Sequence, residues 1–311
     1  MNTHYFTVFA EPPTNLAEIS SNELGPSKTI NETPPCGTPF SKQLLLEKEV
    51  STESYNGNPA GVRLVETLPT IEEHQALLTS DITYPDITMV YIKAITERHF
   101  AIRWFNRNNA IQRCGHGTLA AAAYIHDYRN NSDNSKIHYQ FSSDKETLEV
   151  SASESRYSIT FPIADLHTSQ ALSIPYQTKI NDHVCSMSQT QEDNGYLIIE
   201  FSNSEQVKLF ECNQNVIEYI GQRALIITAK SYLLNSDITF RYFAPQYGQI
   251  EDSATGSAGS VLWPFWKKRL GTTHKSILRC AQLSKAGGYL ELTQKNKKEV
   301  VVSGHVKRLK E

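Results

Sequence analysis

The 311-residue sequence contains little cysteine, no excess of basic charge and no long apolar run. Its 30 Lys and Arg residues against 33 Asp and Glu give a formal net charge of −3, which argues against a nucleic-acid-binding surface. The longest apolar run, 119–125, is far shorter than the roughly 20 residues that cross a bilayer. The N-terminus lacks the basic and apolar segments of a signal peptide. We therefore expect a cytoplasmic protein without nucleic-acid or membrane partners.

The cysteines are few, odd in number and scattered along the chain. No two of them have the Cys-x-x-Cys spacing of a zinc or redox site, which predicts no metal site and free thiols in a reducing compartment. The five positions are Cys36, Cys114, Cys185, Cys212 and Cys280.

Length and composition indicate a globular protein with two domains or one large one. Hydrophobic residues make up 39% of the chain and charged residues 20%, which suits a protein with a substantial core. Residues 11–40 are rich in proline and polar residues and favour extended or mobile chain. The sequence therefore predicts a poorly structured extension or loop over residues 1–41.

A strand, a glycine turn and a helix follow one another in the first half of the chain. Arg103-Trp-Phe closes an alternating segment, and Cys114-Gly-His-Gly-Thr118 precedes an alanine-rich run. Alanine has the highest intrinsic helix propensity, and Thr118 is a suitable cap residue at that junction. Two glycines permit a tight turn that exposes backbone amides.

The same order of elements returns in the second half. Arg241-Tyr-Phe lies 138 residues after Arg103-Trp-Phe and is followed by Glu251 to Ala258 and a predicted helix over Gly259–Leu270. A shared order of strand, loop, glycine turn and buried helix predicts an internal duplication.

Several short motifs occur together in a fixed order, and their order resembles that of the PhzF-like (phenazine biosynthesis) isomerase family over roughly residues 42–311. The motifs are Gly57-Asn-Pro-Ala60, Arg103-Trp-Phe, Cys114-Gly-His-Gly-Thr118, Arg241-Tyr-Phe-Ala-Pro245, Glu251-Asp252 and Thr255-Gly-Ser-Ala258.

This resemblance implies the α+β fold of diaminopimelate epimerase: two pseudo-symmetric halves, each a mixed β-sheet wrapped around a central helix. The boundaries would be 42–160 plus 300–311 for the first half and 161–299 for the second. The resemblance also implies an isomerase that needs neither metal nor organic cofactor, acts on a small carboxylate-bearing substrate and forms a homodimer.

Two glycine-rich turns at helix starts suit that chemistry. Helix N-termini offer unpaired N–H groups and positive dipole ends, which together bind anions. Proton transfer beside a carboxylate needs a positioned acid or base and donors that stabilise developing negative charge.

Asp86 is the candidate general acid and base, because the resemblance places it where the family has a catalytic Glu. The side chain is one methylene shorter, and a turn Asp after Pro85 is the alternative reading.

His116, Asp252 and Ser257 complete the predicted catalytic set. The resemblance implies that His116 faces the cleft, where it would assist proton transfer or orient the substrate. Asp252 and Ser257 match the family's Asp and Ser, and their alternative role is to cap the helix that follows them.

A second group of residues is predicted to contact the substrate through backbone or side-chain polar groups: Asn58, Gly115, Gly117, Thr118, Thr255, Gly256 and Ala258. For Asn58, a structural role in a turn beneath the cleft is the alternative.

Cys114 distinguishes two kinds of enzyme. Racemases and epimerases of this fold oppose two cysteines, whereas the second-half position that matches Cys114 is Ala254. We therefore expect Cys114 to be a small buried turn residue. The open alternatives to the isomerase are a racemase or epimerase of the same fold and a non-catalytic small-molecule binder.

Overall fold

The computed structural model describes residues 3–10, 55–78, 87–128, 137–153, 155–168, 182–231, 235–271 and 276–309. These residues form a strand-rich α+β protein whose strands share one continuous sheet. The strands are β1 (His4–Val8), β2 (Asn58–Leu64), β3 (Thr88–Ala94), β4 (His99–Phe105), β5 (Ala110–Ile111), β6 (Ile137–Ser142), β7 (Thr147–Ser153), β8 (Arg156–Pro162), β9 (His167–Thr168), β10 (Val184–Gln189), β11 (Tyr196–Phe201), β12 (Ala224–Lys230), β13 (Ile238–Ala244), β14 (Gln249–Glu251), β15 (Ile277–Gln282), β16 (Gly288–Gln294) and β17 (Glu299–Arg308).

The helices are short, and the two longest follow the two predicted glycine turns. They are α1 (Ile71–Leu78), α2 (Gly115–Tyr128), α3 (Ser204–Leu209), α4 (Gln214–Ile220) and α5 (Gly259–Leu270). Single 3₁₀ turns lie at Pro245–Tyr247 and Gly256–Ala258.

Strand pairing follows the same order in the two halves of the chain. In the first half, β2 runs parallel to β3, β3 antiparallel to β4, and β4 parallel to β6. In the second half, β11 runs parallel to β12, β12 antiparallel to β13, and β13 parallel to β15. Each series continues through an antiparallel hairpin, β6–β7 or β15–β16. The repeat of short motifs is thus matched by a repeat of strand pairings.

Helices α2 and α5 lie within the core. Residues 115–126 of α2 are buried all round, which small alanine side chains permit because they let surrounding strands approach closely. In α5, Trp263, Phe265 and Trp266 are buried, so these aromatic side chains pack in the core. Helix α2 contacts β1, β2, β3, β7, β8 and β17, and α5 contacts β8, β16 and β17.

Strand β1 corrects the prediction that residues 1–41 form an unstructured extension. Its residues pair with β2 on one side and with the end of β17 on the other. Phe6 and Val8 are almost completely buried. The prediction was wrong for residues 4–8 because their partner strand lies about 300 residues away in sequence, where local patterns cannot show it. Residues 11–54 lie outside the described ranges.

The sequence also predicts a helix from the spacing of residues 71–78, paired strands from the alternation over 88–95 and 99–105, and a hairpin over 137–150. The structure confirms these as α1, β3 with β4, and β6 with β7, and it confirms the predicted helix Gly259–Leu270. The elements between β10 and β12 carry no sequence prediction.

Candidate functional site

The carboxamide of Asn58 joins the two predicted glycine turns. Its Nδ2 donates to Asp252 Oδ1 at 2.7 Å and to the Ala254 carbonyl at 3.1 Å. The same nitrogen lies 3.4 Å from His116 Nδ1. Asp252 belongs to the turn before α5 and His116 to the first turn of α2, so one buried side chain holds residues from both halves together.

The chain around Gly57 explains how Asn58 reaches this position. Gly57 adopts a φ of +74°, and a side chain there would collide with the Val8 carbonyl. Its N–H donates to the Gly287 carbonyl at 2.9 Å, which ties the start of β2 to the second half. Only glycine combines this backbone conformation with so close an approach. Asn58, the next residue, is thereby presented to both turns.

His116 is a buried imidazole with polar partners on both ring nitrogens. Its Nε2 lies 3.1 Å from Thr88 Oγ1, and its Nδ1 faces Asn58 and the Cys114 thiol. Burial lowers the pKa of His116, and the charge of Asp252 partly opposes this shift. The ring is therefore neutral near pH 7 and can accept or relay a proton.

Cys114 is a buried turn residue beside the imidazole. Its Sγ lies 3.5 Å from His116 Nδ1 and accepts from the Gly117 N–H at 3.4 Å. Burial, the largest cause, raises the pKa of the thiol to about 12. A thiol in this environment remains protonated and is a weak nucleophile or base near neutral pH.

Asp252 is held through both carboxylate oxygens. Asn58 donates to Oδ1, and the Thr255 hydroxyl donates to Oδ2 at 2.6 Å. Both oxygens of Asp252 thus accept from side chains, and Asn58 links the turn to His116. The residues at the cap positions, Thr255 of the 3₁₀ turn and Ala258 of α5, form no side-chain cap hydrogen bond, so neither Asp252 nor Ser257 has the capping role that was the alternative.

Ser257 lies in the 3₁₀ turn before α5 and contacts two tyrosine hydroxyls. Tyr196 interacts with Ser257 and Ser260, and Tyr242 interacts with Ser257. Burial raises the pKa of both phenols, so they stay protonated, and each hydroxyl can donate to or accept from Ser257. The Ser257 hydroxyl therefore belongs to a cluster of hydroxyl groups.

The small residues of both turns serve close packing. A side-chain carbon at Gly115 would lie 3.0 Å from Phe161, and one at Gly256 would lie 3.0 Å from Phe9. Gly117 is similarly enclosed, and Ala258 is fully buried.

Thr118 corrects a prediction. It lies inside α2 rather than at its cap, because the helix already begins at Gly115. Its hydroxyl donates to the Cys114 carbonyl at 2.7 Å, and the residue is completely buried.

The predicted acid and base Asp86 lies outside the described residues. Four neighbours of the site were not predicted from the sequence. The missed neighbours are Thr88, Tyr196, Tyr242 and Gln282. Tyr242 lies within the recognised Arg241-Tyr-Phe motif, which was the available signal. The others are brought in by strands β3, β11 and β15 and leave no local pattern.

The described ranges contain neither a cluster suited to a metal ion nor a helix suited to a membrane. Within them, no group of three or more His, Cys, Asp or Glu side chains is arranged to hold a metal ion. None of the helices in those ranges is long and apolar enough to cross a membrane.

The strand-rich α+β fold also occurs in an amino-acid epimerase of known structure. A hydroxyproline epimerase from Agrobacterium vitis superimposes with a TM-score of 0.51 over 82% of this chain and 88% of its own, at 8% identity, so the likeness concerns the fold alone. The family model for phenazine biosynthesis-like proteins (PhzC-PhzF) matches residues 50–309. The chain belongs to this family.

Individual relatives agree with that assignment. An uncharacterized isomerase of Vibrio cholerae is 30% identical over 256 residues, which are 81% of this chain and 84% of the relative. The crystal structure of a PhzC/PhzF phenazine biosynthesis protein from Clostridium difficile shares 27% identity and a TM-score of 0.68, over 83% of this chain and 93% of its own. The resemblance seen in the motifs is confirmed, and the family includes proteins named as isomerases.

Proposed function

We propose that this protein is a cofactor-independent isomerase that moves a proton on a small carboxylate-bearing substrate between its two halves. The observation that carries the proposal is the shared contact at Asn58, which unites His116 from one helix start with Asp252 from the other. An imidazole kept neutral and a carboxylate with fixed orientation are suitable partners for acid–base chemistry.

In the proposed reaction, a side chain removes a proton from a carbon near the substrate carboxylate. The electron pair moves into the adjacent unsaturated system, and a proton is returned to another carbon, so that no atoms or electrons are gained or lost. The starts of α2 and α5 would stabilise the negative charge that develops. Ser257 would donate its hydroxyl to the substrate, with its oxygen accepting from a neighbouring phenol.

Asp86 is the proposed proton carrier. Support comes from Thr88, two residues further along the chain, whose hydroxyl lies 3.1 Å from His116 Nε2. The start of β3 therefore borders the candidate site. The Asp-for-Glu exchange relative to the family pattern points to a difference in substrate or rate, or to the loss of activity in a non-catalytic binder.

A two-thiol racemase is disfavoured by the chemistry of the two turns. Cys114 has a pKa raised to about 12, and its counterpart Ala254 carries no titratable group. A racemase would need a thiolate on one face of the substrate and a thiol on the other.

The proposed organisation keeps residues 42–160 plus 300–311 and residues 161–299 as the two halves of a homodimer subunit. The pairings of β17 support the unusual boundary, because this strand pairs with β8 and β1 as well as with β16. The C-terminal strand would thereby complete the first half.

The test is deuterium incorporation from D₂O into a panel of small carboxylates, including cyclic, unsaturated and amino-acid members. NMR would follow exchange with the wild-type protein and with the variants Asp86→Asn, His116→Asn and Cys114→Ala. Asp193→Asn serves as a control, because this aspartate side chain is 99% exposed.

We expect at least one carboxylate to exchange with the wild type and the control. Asp86→Asn and His116→Asn should reduce the rate at least about 100-fold, the usual worth of general acid–base catalysis. Cys114→Ala should retain exchange. Loss of exchange in Cys114→Ala with retention in Asp86→Asn would instead support a racemase, and binding without any exchange would support a non-catalytic protein.

A further inference from the structure

Gln282 is a completely buried amide at the end of β15, directly behind the turn that carries Asp252. Its Oε1 accepts from the Thr255 N–H at 2.7 Å. Its Nε2 donates to the Asp252 carbonyl at 2.6 Å and lies 3.4 Å from Thr255 Oγ1. The oxygen end of the amide is therefore bonded to Thr255, and the nitrogen end is bonded to Asp252.

Those two residues are joined to each other through the carboxylate. Thr255 Oγ1 donates to Asp252 Oδ2, while Asn58 holds Oδ1. Gln282 thus fixes the backbone on both sides of the turn, and the turn fixes the hydroxyl that orients the carboxylate. The chain of contacts runs from Gln282 through Thr255 to Asp252 and, across Asn58, to His116.

The packing around Gln282 shows that the turn is pressed against β15 and β16. Gln282 pairs with Gly288, and a side-chain carbon at Gly288 would lie only 2.6 Å from the Ala254 side chain. Glycine at this position lets the turn approach the two strands closely enough for the amide to reach it.

We propose that Gln282 is a positioning residue that holds the Asp252 carboxylate in the orientation in which it acts on His116. Its hydrogen bonds go to Thr255 and Asp252 and not to the imidazole. The importance of Gln282 for catalysis rests on the proposed function. Its effect on the geometry of the Asp252 turn can be tested without that function. If Gln282 only stabilised the turn, its replacement would lower the stability of the protein and leave the pKa of His116 unchanged.

The pKa of His116 distinguishes a positioning role of Gln282 from a purely stabilising one. The Asp252 charge raises the pKa of His116 against the larger lowering by burial. If Gln282→Met lets the carboxylate turn away, that opposing contribution weakens and the pKa of His116 falls further. A nearby opposite charge favours the charged form of a histidine, so the direction of the change in the His116 pKa is diagnostic.

The experiment is an NMR pH titration of protein labelled with ¹³C at histidine Cε1, with His116→Asn to assign the signal. Thr255→Val interrupts the next contact in the chain and should lower the pKa of His116 in the same way. The double variant should shift the pKa by less than the sum of the two single shifts, because both act on one network.

Ser284→Ala is the matched control. The Ser284 hydroxyl donates to the Ser253 carbonyl of the same turn at 2.5 Å. Its removal should lower the melting temperature and leave the His116 titration in place.

An unchanged His116 pKa in folded Gln282→Met protein would overturn the proposal. A rise toward the ordinary histidine value would also overturn it, because it would mean that Gln282 only keeps water out. If the methionine variant does not fold, Gln282→Asn is titrated under the same criteria. No step requires turnover, so a failure here is distinct from a failure of the proposed isomerase.

Discussion

The two helix starts are built from corresponding elements and are held in different ways. The backbone of the Cys114 turn is closed by local contacts, with the Thr118 hydroxyl and N–H both donating to the Cys114 carbonyl. The Asp252 turn is held by side chains from far along the chain, including Asn58 and Gln282. The first turn presents an imidazole in surroundings that disfavour charge, whereas the second presents a carboxylate surrounded by donors. The two turns correspond in the fold, but one supplies a neutral imidazole and the other supplies a carboxylate.

The two arginines of the repeated motif also differ in the number and strength of their hydrogen bonds. Arg241 forms a two-pronged ion pair with Glu251, at 2.7 and 3.0 Å, and donates to the carbonyls of Val207, Lys208 and Phe210. Arg103 donates to the Pro69 carbonyl at 3.2 Å and meets an exposed Asp144 at 3.4 Å. The stronger hydrogen-bond network therefore surrounds Arg241, in the half that carries the Asp252 turn.

The largest expected effect compares these arginines. Arg241→Met should destabilise the protein by about 2–3 kcal/mol, because it leaves Glu251 and several carbonyls without their charged donor. Arg103→Met should cost about 0.5 kcal/mol or less, as is usual for an exposed ion pair. Urea unfolding of both variants measures the difference. Equal losses of unfolding free energy would show that the two arginines stabilise the two halves equally.

A smaller effect concerns acid sensitivity at the first turn. Burial lowers the folded-state pKa of His116, so between its folded and unfolded pKa values the unfolded chain binds more protons. Stability contributed by the neutral ring is complete above about pH 6.5 and declines as the pH falls toward the folded pKa, by at most about 1.4 kcal/mol per pH unit.

His116→Asn should therefore flatten the dependence of unfolding free energy on pH between about 7 and 5. His138→Asn is the control, because His138 is exposed. If the two variants show the same slope, the first turn does not disfavour charge, and the proposed contrast with the Asp252 turn is lost.

The sequence predicted what short-range patterns encode. Alternation revealed β3 and β4, alanine content revealed α2, and the paired motifs around Arg103 and Arg241 pointed to the repeated strand order. Family resemblance directed attention to His116 and Asp252, whose proximity the structure then provided.

Long-range contacts escaped prediction for a physical reason. The pairing of β1 with β17 and the reach of Gln282 to the Asp252 turn depend on strand order and register, which no window of neighbouring residues contains. Thr118 was misplaced because cap preference is a weak local signal, and the Gly115 position allowed the helix to start one turn earlier.

The central claim is that Asp252 and His116, from different halves, act on each other at one site. The most direct measurement is the NMR titration of His116 in the Asp252→Asn variant. The account predicts a His116 pKa below that of the wild-type protein, because the carboxylate that raises it is gone. A His116 titration that is the same in both proteins would contradict the account.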